Sequence, residues 1–135
     1  MNAPEPRPQG TLTIGRRFTF EAGHRLPGLP TEHKCSRQHG HSYEVEVILT
    51  ADRLAPPGFI TDFADLAPFK EYLDEELDHR NLHEVLPVEP TSELLARYLA
   101  EWFITHVEPH IPGRLQAVKV SETARSWARF DVEGT

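Results

Sequence analysis

The distribution of apolar residues predicts an α+β fold: a mostly antiparallel four-stranded sheet in the order β-β-α-α-β-β, with both helices on one face. Three observations carry this. Apolar residues alternate in two stretches before Ala51, recur at helical spacing in two stretches between Asp62 and Pro109, and alternate again in two stretches beyond Gly113.

The first stretch, Thr11 to His24, places Leu12, Ile14, Phe18, Phe20, Ala22 and His24 on one side of a half-buried strand, with Arg16 alone out of character. From His39 the odd positions His39, His41, Tyr43, Val45, Val47 and Leu49 face one way, while Ser42, Glu44, Glu46 and Thr50 face the other. That polar face must meet water or a polar partner. Pro56-Pro57-Gly58 then interrupts the chain. Leu66, Phe69, Leu73 and Leu77 set a helix over about residues 62–78, with Asp65 as its N-cap and Pro68 in the tolerated first turn. A second helix starts after Pro90, capped by Thr91 or Ser92. It presents Leu94, Leu95, Tyr98, Leu99, Trp102 and Phe103, and Pro109 and Pro112 stop it. Leu115 to Glu122 and Ser126 to Val132 supply two more strands, joined by a turn at Thr123-Ala124-Arg125.

The 135 residues suit one domain over 11–135, preceded by a tail over 1–10. The opening MNAPEPRPQG, with three prolines and no apolar core, reads as a disordered lead-in rather than a signal peptide. A net charge of −7 argues against a nucleic-acid partner, which would need a basic stripe, but leaves room for a small anionic substrate. No apolar run approaches the ~20 residues of a membrane helix. Cys35, the only cysteine, has no internal partner, so a cytoplasmic setting is expected.

The stretch "EHKCSRQHGHSY" concentrates the candidate chemistry. His39 and His41 are two apart on a strand, so both imidazoles project from one face, and His24 ends the preceding strand in phase with its apolar side. If the two strands pair as a hairpin, the three converge. Three neutral imidazoles with an open fourth position match a catalytic zinc site. His33 competes as third ligand, and solvated strand-end histidines are the plainer reading. Cys35 admits three roles: a fourth ligand closing a structural site, a nucleophile or base helped by Lys34 and Arg37, or an inert thiol. Asp78-His79 is a carboxylate beside a histidine, the pairing of a general base. His79 and His83, four apart, also resemble a helical metal pair, although Arg80 stands where a zinc protease carries glutamate. Glu122 ends a strand on the side of Val118 and Val120, where a carboxylate requires donors such as an amino-pyrimidinone ring offers.

The pieces "FTFEAGHRL", "HKCSRQHGHSY", "ITDFADL", "LDHRNL", "PTSELLA" and "VSET", in this order from Phe18 to Thr123, resemble the 6-pyruvoyltetrahydropterin synthase family. They are most similar to its 6-carboxytetrahydropterin synthase branch, which the three residues between Cys35 and His39 suit. The resemblance implies the tunnelling fold, whose sheets close into a barrel in trimers that stack as hexamers, with Glu44 and Glu46 lining a shared channel. It implies Zn2+ on His24, His39 and His41, a catalytic Cys35 assisted by Asp78 and His79 at subunit boundaries, and Glu122 with the backbone around Thr123 holding the pterin ring. The implied reaction takes 7,8-dihydroneopterin triphosphate to 6-carboxytetrahydropterin, acetaldehyde and triphosphate, on the route to queuosine and other 7-deazapurines. Three positions depart from the family pattern: Gly23 for alanine, His83 for asparagine and Ser121 for lysine. The alternatives are a pyruvoyl-retaining synthase, a non-catalytic zinc-stabilised pterin-binding module, and a zinc hydrolase built on His79 and His83.

Overall fold

In the computed structural model, which describes residues 7–26 and 28–134, one long hairpin organises the chain. β1 (Thr13–His24) pairs antiparallel with β2 (His39–Thr50) along its whole length. β4 (Arg114–Thr123) adds to the far side of β2, and β5 (Ser126–Asp131) to β4. These are the four expected strands, each displaced from its expected bounds by no more than two residues. A fifth was not expected: β3 (Arg80–Asn81) lies parallel to β1 at Ala22 and Gly23, giving the order β3-β1-β2-β4-β5. Of the expected N-terminal tail, residues 7–10 are exposed and without regular structure, and residues 1–6 lie outside the described residues.

The first helical region is not one continuous α-helix. It opens as a 3-10 turn (Phe63–Leu66), continues as α1 (Ala67–Tyr72), and widens into a π-helical turn (Leu73–Leu77). Its cap is Asp62, whose side chain accepts from Ala64 N at 3.0 Å, and not Asp65. Pro68 has no N–H to give an α-type bond back to Ala64, which favours the tighter opening turn. Phe69, Leu73 and Leu77 stand four apart, a longer period than 3.6, and the wide turn keeps all three buried on one side. Next comes α2 (Leu82–Val85), then α3 (Ser92–His106), which Thr91 caps by accepting from Leu94 N at 3.1 Å. A 3-10 turn, Glu108–His110, follows at Pro109.

Both helical regions cover the same face of the sheet. Phe18 of β1 meets Phe69 edge-on at 5.3 Å between ring centroids, and Phe69 meets Phe103 of α3 at 5.4 Å. Tyr43, Val45, Val47, Leu115, Val118 and Val120 fill the layer between, all buried. On the opposite face Arg17 lies 3.4 Å from Glu44 and 3.2 Å from Glu46, its cross-strand partner, with all three in contact with solvent. The sheet does not close on itself, so β5 and the β3 side are open edges.

Candidate functional site

The hairpin register places the histidines. His24, last in β1, is the Cα partner of His39, first in β2, and Ala22 is the partner of His41. Strand phase turns all three imidazoles to the helix-covered side, at the rim of the core. His24 is 1% exposed. Its Nε2 lies 2.8 Å from Nε2 of His39 and 3.1 Å from Nε2 of His41. Among the described residues, His24, His39 and His41 form the single group of His, Cys, Asp or Glu side chains able to share a cation, with ligand atoms within 4.8 Å of one another.

The outer nitrogens show that these residues fit a metal ion. His24 Nδ1 lies 2.8 Å from the Pro90 carbonyl, and His39 Nδ1 lies 2.7 Å from the Arg37 carbonyl. A carbonyl only accepts, so with the proton on Nδ1 each ring has an anchor there and a lone pair on Nε2 to offer a cation. Burial pushes His24 and His41 below the ordinary imidazole value, outweighing the opposite pull of Glu122 on both and of Pro90 on His24. Both are therefore neutral at neutral pH, as ligation requires. Tyr43, buried beneath His24 and stacked on Phe20 at 5.0 Å, is pushed upward by burial and keeps its phenolic proton.

A cavity of about 430 Å³ opens on this trio, lined by His24, Leu26, Lys34, Cys35, His39, His41 and Glu122. Cys35 sits in a 3-10 turn (Lys34–Ser36) whose cap is His33: the His33 Nδ1 accepts from Cys35 N at 3.1 Å. That capping bond, and not ligation, is the role of His33, which corrects its place as rival third ligand. Leu26 N donates to Cys35 O at 2.8 Å, pinning the turn beside the end of β1. Cys35 thus faces the cavity without belonging to the cation-sharing group. Glu122 comes within 3.7 Å of His41 Nε2. Thr123, the last residue of β4, is exposed and accepts from Arg125 N through its hydroxyl at 3.2 Å.

Asp78 and His79 are built elsewhere. The π-turn ends at Leu77, and His79 takes a left-handed backbone, φ 60°, that histidine tolerates better than most residues. This turns adjacent side chains toward each other, with His79 Nδ1 2.9 Å from Asp78 Oδ2. The pair is fastened to β1 by two bonds at one residue: Glu21 N donates to Asp78 Oδ1 at 2.8 Å, and His79 N donates to Glu21 O at 2.6 Å. The bond from Glu21 N, then that to His79, hold the Asp78 carboxyl below its ordinary range. His79 lines a second cavity, about 380 Å³, with Glu21, Ala22, Gly23, His41, Ser42 and Arg80. His41 is common to the two linings, but Cys35 opens on the first cavity and His79 on the second.

His79 and His83 are not a helical pair. β3 intervenes, and α2 begins only at Leu82. His83 lies apart from the cation-sharing group, with Nε2 3.7 Å from Glu84, which removes the geometric basis of the hydrolase alternative.

A family profile described as 6-pyruvoyl tetrahydropterin synthase matches residues 13–133. The chain belongs to that family. A 6-carboxy-5,6,7,8-tetrahydropterin synthase from Synechocystis is 40% identical over 87% of this chain and 91% of its own. Among solved structures, an uncharacterised protein of Wolinella succinogenes superposes with a TM-score of 0.81 at 25% identity, covering 93% of this chain and all of the other. The Caenorhabditis elegans 6-pyruvoyl tetrahydropterin synthase superposes with a TM-score of 0.78 at 26% identity, over 92% of this chain and 97% of its own. The fold is therefore that of the pterin synthases. No described helix is long and apolar enough to cross a membrane.

Proposed function

We propose that the chain is a zinc-dependent 6-carboxy-5,6,7,8-tetrahydropterin synthase. It would convert 7,8-dihydroneopterin triphosphate and one water into 6-carboxytetrahydropterin, acetaldehyde and triphosphate, in the biosynthesis of queuosine and related 7-deazapurines. The Synechocystis relative supports the activity. The observation that carries the reading is the thiol of Cys35 beside three imidazoles whose ligating nitrogens point at one spot, without the thiol joining them.

His24, His39 and His41 would hold the zinc, which when bound supplies Lewis acidity toward the hydroxyls of the substrate side chain. Glu122, a carboxylate at the wall of the cavity, would accept the two N–H bonds of the amino-pyrimidinone ring, with backbone near Thr123 completing the grip. Cys35 would move a proton at the side-chain carbons. His79, its Nδ1 tied to Asp78, would present Nε2 as the second acid-base group. Because the two groups open on different cavities of one chain, a site containing both would join Cys35 of one copy to His79 of another. A homo-oligomer, trimer or stacked trimers, follows from the proposal.

The test is incubation with dihydroneopterin triphosphate, with and without chelator, followed by product mass. A carboxypterin with acetaldehyde, lost on chelation and restored by zinc, is the expected result. An intact pyruvoyl side chain would instead favour the activity named for the Caenorhabditis elegans structure. Absence of any turnover, with pterin still bound, would favour a non-catalytic binding module.

A further inference from the structure

His24 stands between two partners that ask for its proton in opposite places. The Pro90 carbonyl, 2.8 Å from Nδ1, can only accept and so favours Nδ1–H. The Tyr43 hydroxyl lies 3.0 Å from that same nitrogen, and among the described residues it has no other hydrogen-bond partner for its own proton. A neutral imidazole carries one proton and cannot serve both.

Each placement completes a different network. With the proton on Nδ1, Pro90 is satisfied, and Nε2 turns a lone pair toward the Nε2 of His39 at 2.8 Å. His39 has its own proton directed to Arg37, so two lone pairs face each other, and a cation among them converts that repulsion into ligation. With the proton on Nε2, the same 2.8 Å contact becomes a hydrogen bond from His24 to His39, and Nδ1 is free to accept from Tyr43. The first network is the cation-bound one; the second joins His24 to His39 and Tyr43 without a cation and gives up the Pro90 bond.

We propose that Tyr43 is a positioning residue that sets the cation affinity of the site: its hydroxyl stabilises the cation-free arrangement by donating to His24 Nδ1. Cation binding then moves the His24 proton from Nε2 to Nδ1 and onto the Pro90 carbonyl, with the number of protons on the ring unchanged. The inference rests on the reading of the trio as a zinc site. It adds that this site binds zinc less tightly than its three imidazoles alone would allow, because one hydrogen bond must be given up.

Tyr43→Phe tests this while keeping the ring stacked on Phe20. Zinc titrated against a chromophoric chelator should bind the variant roughly fivefold more tightly than the unaltered chain, the factor that one net hydrogen bond represents. Long-range proton–nitrogen NMR of the zinc-free proteins should place the His24 proton on Nε2 in the unaltered chain and on Nδ1 in Tyr43→Phe. Equal or weaker zinc binding by the variant, or Nδ1–H in the zinc-free unaltered chain, overturns the proposal. Should the variant fail to fold, the NMR spectrum of the unaltered chain decides alone. Should neither chain bind zinc, the metal reading fails separately, and the position of the His24 proton still decides the role of Tyr43.

Discussion

Burial at His24 and His41 couples the candidate site to solution pH. In the unfolded chain both imidazoles take up protons near the ordinary value of 6.5, whereas the folded chain holds them below it. Between the lowered folded values and 6.5 the unfolded chain binds more protons, so stability is lost as pH falls through that window. Zinc-free protein should accordingly denature at lower urea concentration near about pH 5.5 than near about pH 7.5, and His24→Ala should narrow the gap. A gap that His24→Ala leaves unchanged would remove this account. Cys35→Ala should retain zinc and the folded assembly while turnover falls by ~10²-fold or more, the scale of a lost acid-base group. Loss of zinc in that variant would make Cys35 a ligand. His83→Ala should leave zinc content as it was. The trio was legible because strand phase and hairpin pairing together fix where imidazoles point. The cap made by His33 was not legible, since a side chain that bonds its own turn leaves no periodic trace. The left-handed turn at His79 was hidden for a related reason: glycine, its usual marker, is absent there.

At the scale of elements, α3 gives the direct test of packing. Leu99 is wholly buried in it, and Leu99→Ala should cost about 3 kcal/mol in denaturant unfolding, the usual range for such a cavity. Thr91→Ala, which removes the cap on Leu94 N, should cost about 1 kcal/mol. The four long strands and α3 were readable because each buries one continuous face, so its period survives over many residues. The first helical region was readable in its apolar positions but not in its form. Phe69, Leu73 and Leu77 fit a helix at four-residue spacing, yet that spacing alone does not distinguish a loosened turn from a regular one. β3 and α2, two and four residues long, are too short for any period to show.

The molecule as a whole presents its candidate groups in two cavities that meet at His41, with Cys35 in one and His79 in the other. If sites join copies, Cys35→Ala and His79→Ala chains, each inactive alone, should recover part of the turnover when coexpressed, since mixed contacts contain one intact pairing. No recovery would place the complete site within a single chain. The open edge of β5 gives such copies unpaired backbone to meet, and nothing in one sequence reveals which edges meet. One small contact closes over Gly23 beside the His79 cavity. Gln38 Nε2 donates to Asn81 Oδ1 at 3.0 Å directly above Gly23, where a Cβ would overlap Gln38 Nε2 and fall 2.9 Å from Asn81 Oδ1. Gly23 thus leaves the space in which the two amides meet, and a methyl group there would push aside the tips of both flexible side chains.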